Sequence, residues 1–205
     1  MPTIDYYYAP ISGFAYLGEK RLVEIARRAG AEIAFHPVDI AAVFEASETV
    51  PPFRQSPARL AYRFHDLKRQ ADRLGLAINP KPKHWPVPAA LPAKLILSAD
   101  RLGIDPHLVS FAMLEAVYAR EMDLSDPDTV AGILEELPVD GEALLAEAKT
   151  EAAGERFQAA TRAAVGAGVF GSPTYVLGGE MFFGQDRLDM LAWRLGVADP
   201  LTDPA

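Results

Sequence analysis

Ser12 is a candidate for stabilising an anion, because it stands where the first predicted helix begins. The unpaired N–H groups of a helix N-terminus carry a partial positive charge, and together with a hydroxyl donor they stabilise anions such as a thiolate. Lowering the pKa of a thiol by one unit takes about 1.4 kcal/mol, which such contacts supply. Serine is also a favoured helix N-cap, so a purely structural role stays open, although Ala15 cannot complete a capping box.

A second candidate site is the proline that precedes a predicted strand, in residues 171–175, Gly-Ser-Pro-Thr-Tyr. A cis Ser172-Pro173 bond would turn the backbone N–H and C=O of Ser172 away from the sheet, where they could pair with a peptide-like ligand. The commoner alternative is a trans proline that only begins an edge strand.

The third candidate site lies at the start of the last predicted helix, in residues 183–187, Phe-Gly-Gln-Asp-Arg. Main-chain N–H groups and Gln185 could hold a ligand carboxylate, and the Asp186 carboxylate could pair with an ammonium group beside it. A γ-glutamyl head group offers both partners. The alternative is that Asp186 only opposes the dipole of its helix.

The other candidate residues give weaker indications of a functional role. The histidines show no helical metal-ligand spacing, so the sequence predicts no metal site; they are His36, His65, His84 and His107. Trp85 could wall an aromatic pocket or fill a gap between two parts of the fold. The charges from Arg63 to Arg73 are interpreted as a solvated helix face.

The sequence around these sites predicts a sheet whose strands are separated along the chain by helices. Four short strands are predicted, over residues 4–8, 31–37, 174–177 and 181–183. A helix over 13–29 joins the first two strands, which gives a β-α-β unit with a parallel pair. Gly178 and Gly179 join the last two strands as an antiparallel hairpin, and a helix over 186–195 follows.

The long segment between the second and third strands predicts a helical insertion. Its helices are expected near residues 57–75, 89–103, 106–122, 126–136, 140–149 and 151–167. We therefore predict an α/β fold with a thioredoxin-like central mixed sheet. Residues 1–37 and 151–205 would form the thioredoxin-like domain and residues 38–150 an inserted all-helical domain, with a loose tail over the last ten residues.

Composition and charge exclude several classes of function. The 205 residues include no cysteine, so any thiol used here must arrive on a ligand. A formal net charge of −8 argues against nucleic acid and anionic membranes as partners. We find no basic and apolar leader and no run approaching about 20 apolar residues, and we therefore expect a cytoplasmic protein.

Four segments, taken in order, resemble the motifs of one family. They are residues 12–17 (SGFAYL), 62–69 (YRFHDLKR), 170–174 (FGSPT) and 183–188 (FGQDRL). These segments resemble the kappa-class glutathione transferases and the 2-hydroxychromene-2-carboxylate isomerases, in the DsbA-like branch of the thioredoxin superfamily. The resemblance covers nearly the whole chain.

The resemblance implies glutathione as the cofactor. Ser12 matches the serine that hydrogen-bonds the glutathione sulfur in this family. Ser172 and Pro173 match the cis-proline loop, which pairs with the cofactor backbone, and Gln185 and Asp186 match the segment that holds its γ-glutamyl end.

The remaining implied residues are Thr49, which would help to hold the cofactor, and Tyr16 and Trp85, which would line the substrate pocket. The second partner would be a small aromatic or electrophilic molecule, and a homodimer is expected.

The chain also departs from the family pattern. Gly13 stands where proline is common, and Ala15 where a second serine is common. Thr49 begins Thr-Val-Pro-Pro in place of Asn-Lys-Pro-Pro, Arg59 replaces a frequent lysine, and Pro88 removes an amide that could address a substrate carboxylate.

By this resemblance, the chain is expected to be a glutathione-dependent isomerase of a 2-hydroxychromene-2-carboxylate-like aromatic substrate. The reaction would proceed by reversible thiolate addition, ring opening and bond rotation. A kappa-type glutathione transferase, which conjugates glutathione to electrophiles, is the first alternative. A ligand-binding module without catalysis is the second, whereas the absence of cysteine excludes a dithiol oxidoreductase.

Overall fold

The computed structural model describes residues 1–202, and a four-stranded mixed sheet lies at its centre. The strands are β1 (Thr3–Tyr8), β2 (Glu32–Pro37), β3 (Thr174–Leu177) and β4 (Glu180–Phe183), in the order β2-β1-β3-β4. β1 pairs with β2 in parallel and with β3 in antiparallel orientation, and β3 and β4 form an antiparallel hairpin. The predicted α/β fold with a mixed central sheet is confirmed.

Helix α1 (Gly13–Ala29) connects the two parallel strands and begins beside the sheet end. Its start follows from Ser12, whose hydroxyl accepts a hydrogen bond from the Ala15 N–H. It ends at Gly30, which takes a left-handed backbone with φ of 59°. At Gly13, a Cβ atom would lie only 2.9 Å from the Leu67 and Tyr118 side chains. The close approach of these two side chains therefore explains a glycine at the first position of the helix.

The inserted segment is helical, as predicted. It contains α2 (Ile40–Ala46), α3 (Pro57–Leu74), α4 (Ala90–Arg101), α5 (Pro106–Tyr118), α6 (Pro127–Glu135) and α7 (Gly141–Ala148), followed by α8 (Glu151–Gly166) before β3. After β4, a short 3₁₀ turn (Gln185–Arg187) leads into α9 (Leu188–Leu195). Another 3₁₀ turn (Pro52–Arg54) lies between α2 and α3.

The inserted segment differs most from the prediction in two places. No element was predicted over residues 38–56, yet α2 forms there because Asp39 caps it by accepting the Ala41 N–H at 3.0 Å. The helix predicted over 106–122 ends at Tyr118, and Glu121 takes a positive φ of 53°, which no helix allows.

The core is continuous across the sheet and the inserted helices. One cluster of buried side chains includes Tyr6 of β1, Leu22 of α1, Ile96 of α4 and Met113 of α5. The division into residues 1–37 with 151–205 and residues 38–150 stays a prediction. Within residues 1–202, each helix is too short or too polar to cross a lipid bilayer.

A buried acid lies inside this core. Glu19 of α1 is fully buried, and its carboxylate accepts a 2.7 Å hydrogen bond from the Ser110 hydroxyl and lies 3.0 Å from His107 Nδ1. The Ser110 and Tyr8 hydroxyls are 2.7 Å apart, and the Tyr6 hydroxyl donates to Glu19 at 3.4 Å. The carboxylate is thus surrounded by hydrogen-bonding groups, as a buried polar group must be.

The predicted loose tail is wrong for residues 196–202. Asp199 is only 8% exposed and forms an ion pair with Arg21 of α1, with 2.7 Å between Arg21 Nε and Asp199 Oδ1. The two-point geometry of this pair fixes the segment after α9 against α1. Residues 203–205 of the predicted tail lie outside the described residues.

We predict that Glu19 makes the stability of the protein fall as the pH rises. Burial raises the pKa of Glu19 above its ordinary value of 4.5. The folded chain therefore keeps a proton on Glu19 at a pH where the unfolded chain has lost it, and the free energy of unfolding decreases as pH rises from about 4.5 through the raised pKa. Glu19→Gln removes this titration, so its urea-unfolding free energy should fall less steeply over that range.

The matched control is Glu24→Gln on the same helix. Arg27 and Arg28 lower the pKa of Glu24 to about 2, so this group titrates below the range that concerns Glu19. The control should keep the wild-type slope above pH ~5.5, where Glu24 is ionised in both the folded and the unfolded chain. Equal slopes for Glu19→Gln and the wild type would contradict the prediction.

Candidate functional site

A cavity of about 120 Å³ opens between the N-terminus of α1, the loop before β3 and the inserted helices. Its polar lining side chains are Ser12, Ser172 and Arg63, and its aromatic ones are Trp85, Phe44 and Phe53. Three of the predicted site residues, Ser12, Ser172 and Trp85, therefore come together at this cavity. The lining is mostly apolar with a few converging polar groups, as in a small-molecule site, but the volume is below the about 300–1,000 Å³ of most such sites.

Ser12 occupies the predicted position at the start of α1. Its hydroxyl oxygen is 3.4 Å from the Ala15 nitrogen and 3.4 Å from the Ser172 carbonyl oxygen. Both distances are long for hydrogen bonds, so the hydroxyl can turn towards a ligand atom at small cost. The N-cap role is confirmed, and it does not prevent contact with a ligand.

The Ser172-Pro173 bond is cis, so the trans alternative is wrong. The Ser172 hydroxyl accepts the Ala9 N–H at 2.9 Å, which ties this loop to the end of β1. The Ser172 carbonyl accepts a hydrogen bond from the Ser12 hydroxyl, whereas the Ser172 N–H has no acceptor within residues 1–202. A second cis bond, Trp85-Pro86, was not predicted.

Gln185 and Asp186 lie next to the cis-proline loop but do not line the cavity. The Gly184 N–H donates to the Pro173 carbonyl at 2.9 Å, which holds the two segments together. Gln185 is only 3% exposed and packs against α1, whereas Asp186 is exposed and its carboxylate lies 3.0 Å from Arg187 Nη1.

Thr49 lies in a neighbouring groove that is lined by α2 and the segment after it. Its hydroxyl donates to the Phe170 carbonyl at 3.3 Å and lies 2.9 Å from the Ser47 hydroxyl. Thr49 thus links the segment after α2 to the loop that contains the cis proline.

Tyr16 does not line the cavity, which corrects its predicted position in a substrate pocket. Its side chain is 1% exposed, and its hydroxyl donates to the Ala77 carbonyl at 3.0 Å. The ring stacks on Tyr118 with 6.0 Å between centroids, because the second turn of α1 faces α5. Tyr16 is therefore a core residue.

The carbonyl oxygen of Ile11 accepts two hydrogen bonds from the inserted segment. The Trp85 indole N–H donates to it at 3.2 Å, and the Tyr118 hydroxyl donates at 3.0 Å. Trp85 thus both lines the cavity and joins the insertion to the turn between β1 and α1, and its role in a substrate pocket stays a prediction. The bonds fix the residue immediately before Ser12.

Sequence reasoning missed Arg63 as a cavity residue. The structure corrects the prediction of a solvated face at this position, because burial lowers the pKa of Arg63 and the side chain lines the cavity. Phe44 and Phe53 were missed because the segment between β2 and α3 carried no predicted element. Among residues 1–202, no three His, Asp or Glu side chains are arranged to hold a metal ion.

Comparisons with known proteins place this site in a family. A model of the DSBA-like thioredoxin domain matches residues 3–196. The 2-hydroxychromene-2-carboxylate isomerase of Sphingobium xenophagum is 29% identical over 92% of this chain and 95% of its own length. The enzyme of the same name from Pseudomonas putida is 30% identical over 94% of both chains. A solved 2-hydroxychromene-2-carboxylate isomerase superposes with a TM-score of 0.79 at 28% identity, covering 95% of this chain and 94% of the other.

The chain therefore belongs to the DSBA-like thioredoxin family, within the group that contains the 2-hydroxychromene-2-carboxylate isomerases. The expected family is confirmed, and so is the expectation that the chain is an enzyme.

We predict that each of the two hydrogen bonds to the Ile11 carbonyl partly compensates for the loss of the other. Trp85→Phe and Tyr118→Phe each remove one donor and should each lower the free energy of unfolding by about 0.5–1.5 kcal/mol. The double variant leaves the carbonyl without a partner, so it should lose at least about 0.5 kcal/mol more than the sum of the single losses. Urea unfolding of the four proteins measures this difference.

Tyr62→Phe is the control, because the Tyr62 side chain is 62% exposed. Its stability should stay within about 0.5 kcal/mol of the wild type. Additive losses in the double variant would show that the two donors act independently.

Proposed function

We propose that this protein is a glutathione-dependent isomerase that acts on 2-hydroxychromene-2-carboxylate or a similar aromatic carboxylate. The observation that carries the proposal is the meeting of Ser12, the cis-proline loop and Trp85 at one cavity in a chain related to enzymes of that name. The cytoplasmic location and the homodimer remain part of the proposal.

The residues at the cavity fit a ligand that contains a thiol and peptide groups. The Ser12 hydroxyl makes only long hydrogen bonds, and it lies at a helix N-terminus that favours an anion. The N–H of Ser172 has no acceptor within residues 1–202, and it can therefore pair with a ligand carbonyl. Because the chain has no cysteine, the sulfur must come from the ligand.

When bound, glutathione supplies a thiolate that can add reversibly to the substrate, so that ring opening and bond rotation follow. The protein contributes orientation and electrostatic stabilisation. Ser12 would donate its hydroxyl hydrogen bond to the sulfur, and the first N–H groups of α1 add positive potential at the same place. The apolar side chains around Trp85 would keep water away from a bound ligand, which would strengthen these interactions.

The other cofactor contacts follow from the positions of the remaining residues. The Ser172 backbone would pair with the cysteinyl backbone of glutathione, with Pro173 fixing the direction of the loop. Asp186, which is exposed, would pair with the γ-glutamyl ammonium group, and Gln185 would shape the surface beside it. Thr49 would contact the cofactor from the opposite side of the loop.

We predict that Ser12→Ala lowers glutathione-dependent isomerisation at least tenfold, which corresponds to about 1.4 kcal/mol of lost transition-state stabilisation. The physical reason is the loss of the hydroxyl donor to the sulfur anion. Turnover of 2-hydroxychromene-2-carboxylate is measured with and without glutathione. The variant also loses its helix cap, at a cost of about 1 kcal/mol in stability, so urea unfolding is recorded alongside.

Ser98→Ala is the matched control. Ser98 is buried in α4, and its hydroxyl has no partner within residues 1–202, so its loss should leave turnover unchanged. An unchanged rate in Ser12→Ala would refute the role of Ser12. Wild-type turnover in the absence of glutathione would refute the dependence of the reaction on that cofactor. A stable glutathione adduct in place of an isomer would identify a transferase.

A further inference from the structure

Arg63 is the charged side chain that lines the candidate cavity. Within residues 1–202 it forms no ion pair with a carboxylate. Several other arginines of the same protein do, among them Arg101 with Glu147 and Arg120 with Glu136. In a chain with a net charge of −8, a cation without a carboxylate partner is a distinctive feature of this cavity.

The surroundings of Arg63 hold its guanidinium in place but leave its charge uncompensated. The guanidinium lies over the Phe14 ring, 4.7 Å from the ring centroid. The Tyr118 hydroxyl is its polar neighbour, and that hydroxyl already donates to the Ile11 carbonyl. A guanidinium that is partly desolvated and lacks a counter-charge gains stability when an anion binds beside it.

The position of Arg63 connects the cavity with a second, more open groove. This groove of about 500 Å³ is bordered by Arg63, Arg59, Tyr62 and Phe14. Arg63 lines both spaces, and Ser12 lines the cavity. A flat aromatic molecule at this junction can rest on Phe14 or Tyr62 and direct a carboxylate to Arg63, with its other end towards Ser12.

We propose that Arg63 binds the carboxylate of the aromatic substrate and selects anionic substrates over neutral ones. Planar guanidinium and carboxylate groups match in two-point hydrogen bonding, which fixes the orientation of the aromatic ring as well as its affinity. This inference rests on the proposed function, since it assigns a residue of the same site to the substrate.

The test uses a simple aromatic carboxylate and its neutral amide as probes. Salicylate and salicylamide are titrated into the wild type, with and without glutathione, by isothermal calorimetry. The same titrations are made with Arg63→Met, which removes the charge, and with Arg63→Lys, which keeps it. Arg69→Met is the matched control, because Arg69 lies on the same helix α3 and pairs on the surface with Asp66.

The wild type should bind salicylate at least tenfold more tightly than salicylamide. Arg63→Met should abolish this preference, Arg63→Lys should retain part of it, and Arg69→Met should leave it intact. Glutathione affinity should not change in any variant. For 2-hydroxychromene-2-carboxylate turnover, Arg63→Met should raise KM at least tenfold and change kcat less.

Three results would overturn the assignment. The first is a wild type without a preference for the carboxylate, a result that needs no variant to fold. The second is a preference that survives Arg63→Met. The third is a loss of glutathione affinity in that variant, which would show that Arg63 binds a carboxylate of the cofactor. Absence of isomerase turnover in the wild type would refute the proposed function but not the role of Arg63. The salicylate titration measures binding and does not depend on turnover.

Discussion

The carbonyl oxygen of Ile11 accepts hydrogen bonds from Trp85 and Tyr118, and the geometry of the candidate site depends on these two bonds. They join two parts of the inserted segment to the turn between β1 and α1. Since Ser12 is the next residue, contacts from outside the sheet help to hold it near the cis-proline loop, together with the bond from the Ala9 N–H to the Ser172 hydroxyl. The inserted helices therefore help to build the site as well as to cover it.

Much of the architecture could be predicted because it follows from local patterns. Strands rich in tyrosine and isoleucine, helices that start at serine or aspartate, and the glycine after α1 are all visible in the sequence. Helix α2 was not predicted, although its Asp39 cap is a signal of the same kind. The segment from residue 196 looked like a tail, but the Arg21 to Asp199 ion pair shows that it packs.

The site was predictable where its residues belong to motifs, and not where tertiary contacts decide. Ser12 and Ser172 meet at the cavity because each follows or precedes a strand in the centre of the sheet. Tyr16 and Arg63 both depart from their expected environments: Tyr16 lies in the core, and Arg63 lines the cavity. Both depend on how α3 and α5 pack on α1, which helical periodicity alone does not fix. Glu19 and His107 meet for the same reason, although 88 residues separate them.

Helix α1 begins directly after the site serine and carries the buried acid, so it is held in place at two points. Glu19 lies about two turns after Ser12, so the helix is fixed near its start by the loop contacts and again within the core. A displacement along the helix axis would break the polar contacts of Glu19. The opposite wall of the cavity includes Phe53, whose side chain is 65% exposed. The Ser12 side of the cavity is therefore held at two points of α1, whereas its Phe53 side is the one most open to solvent.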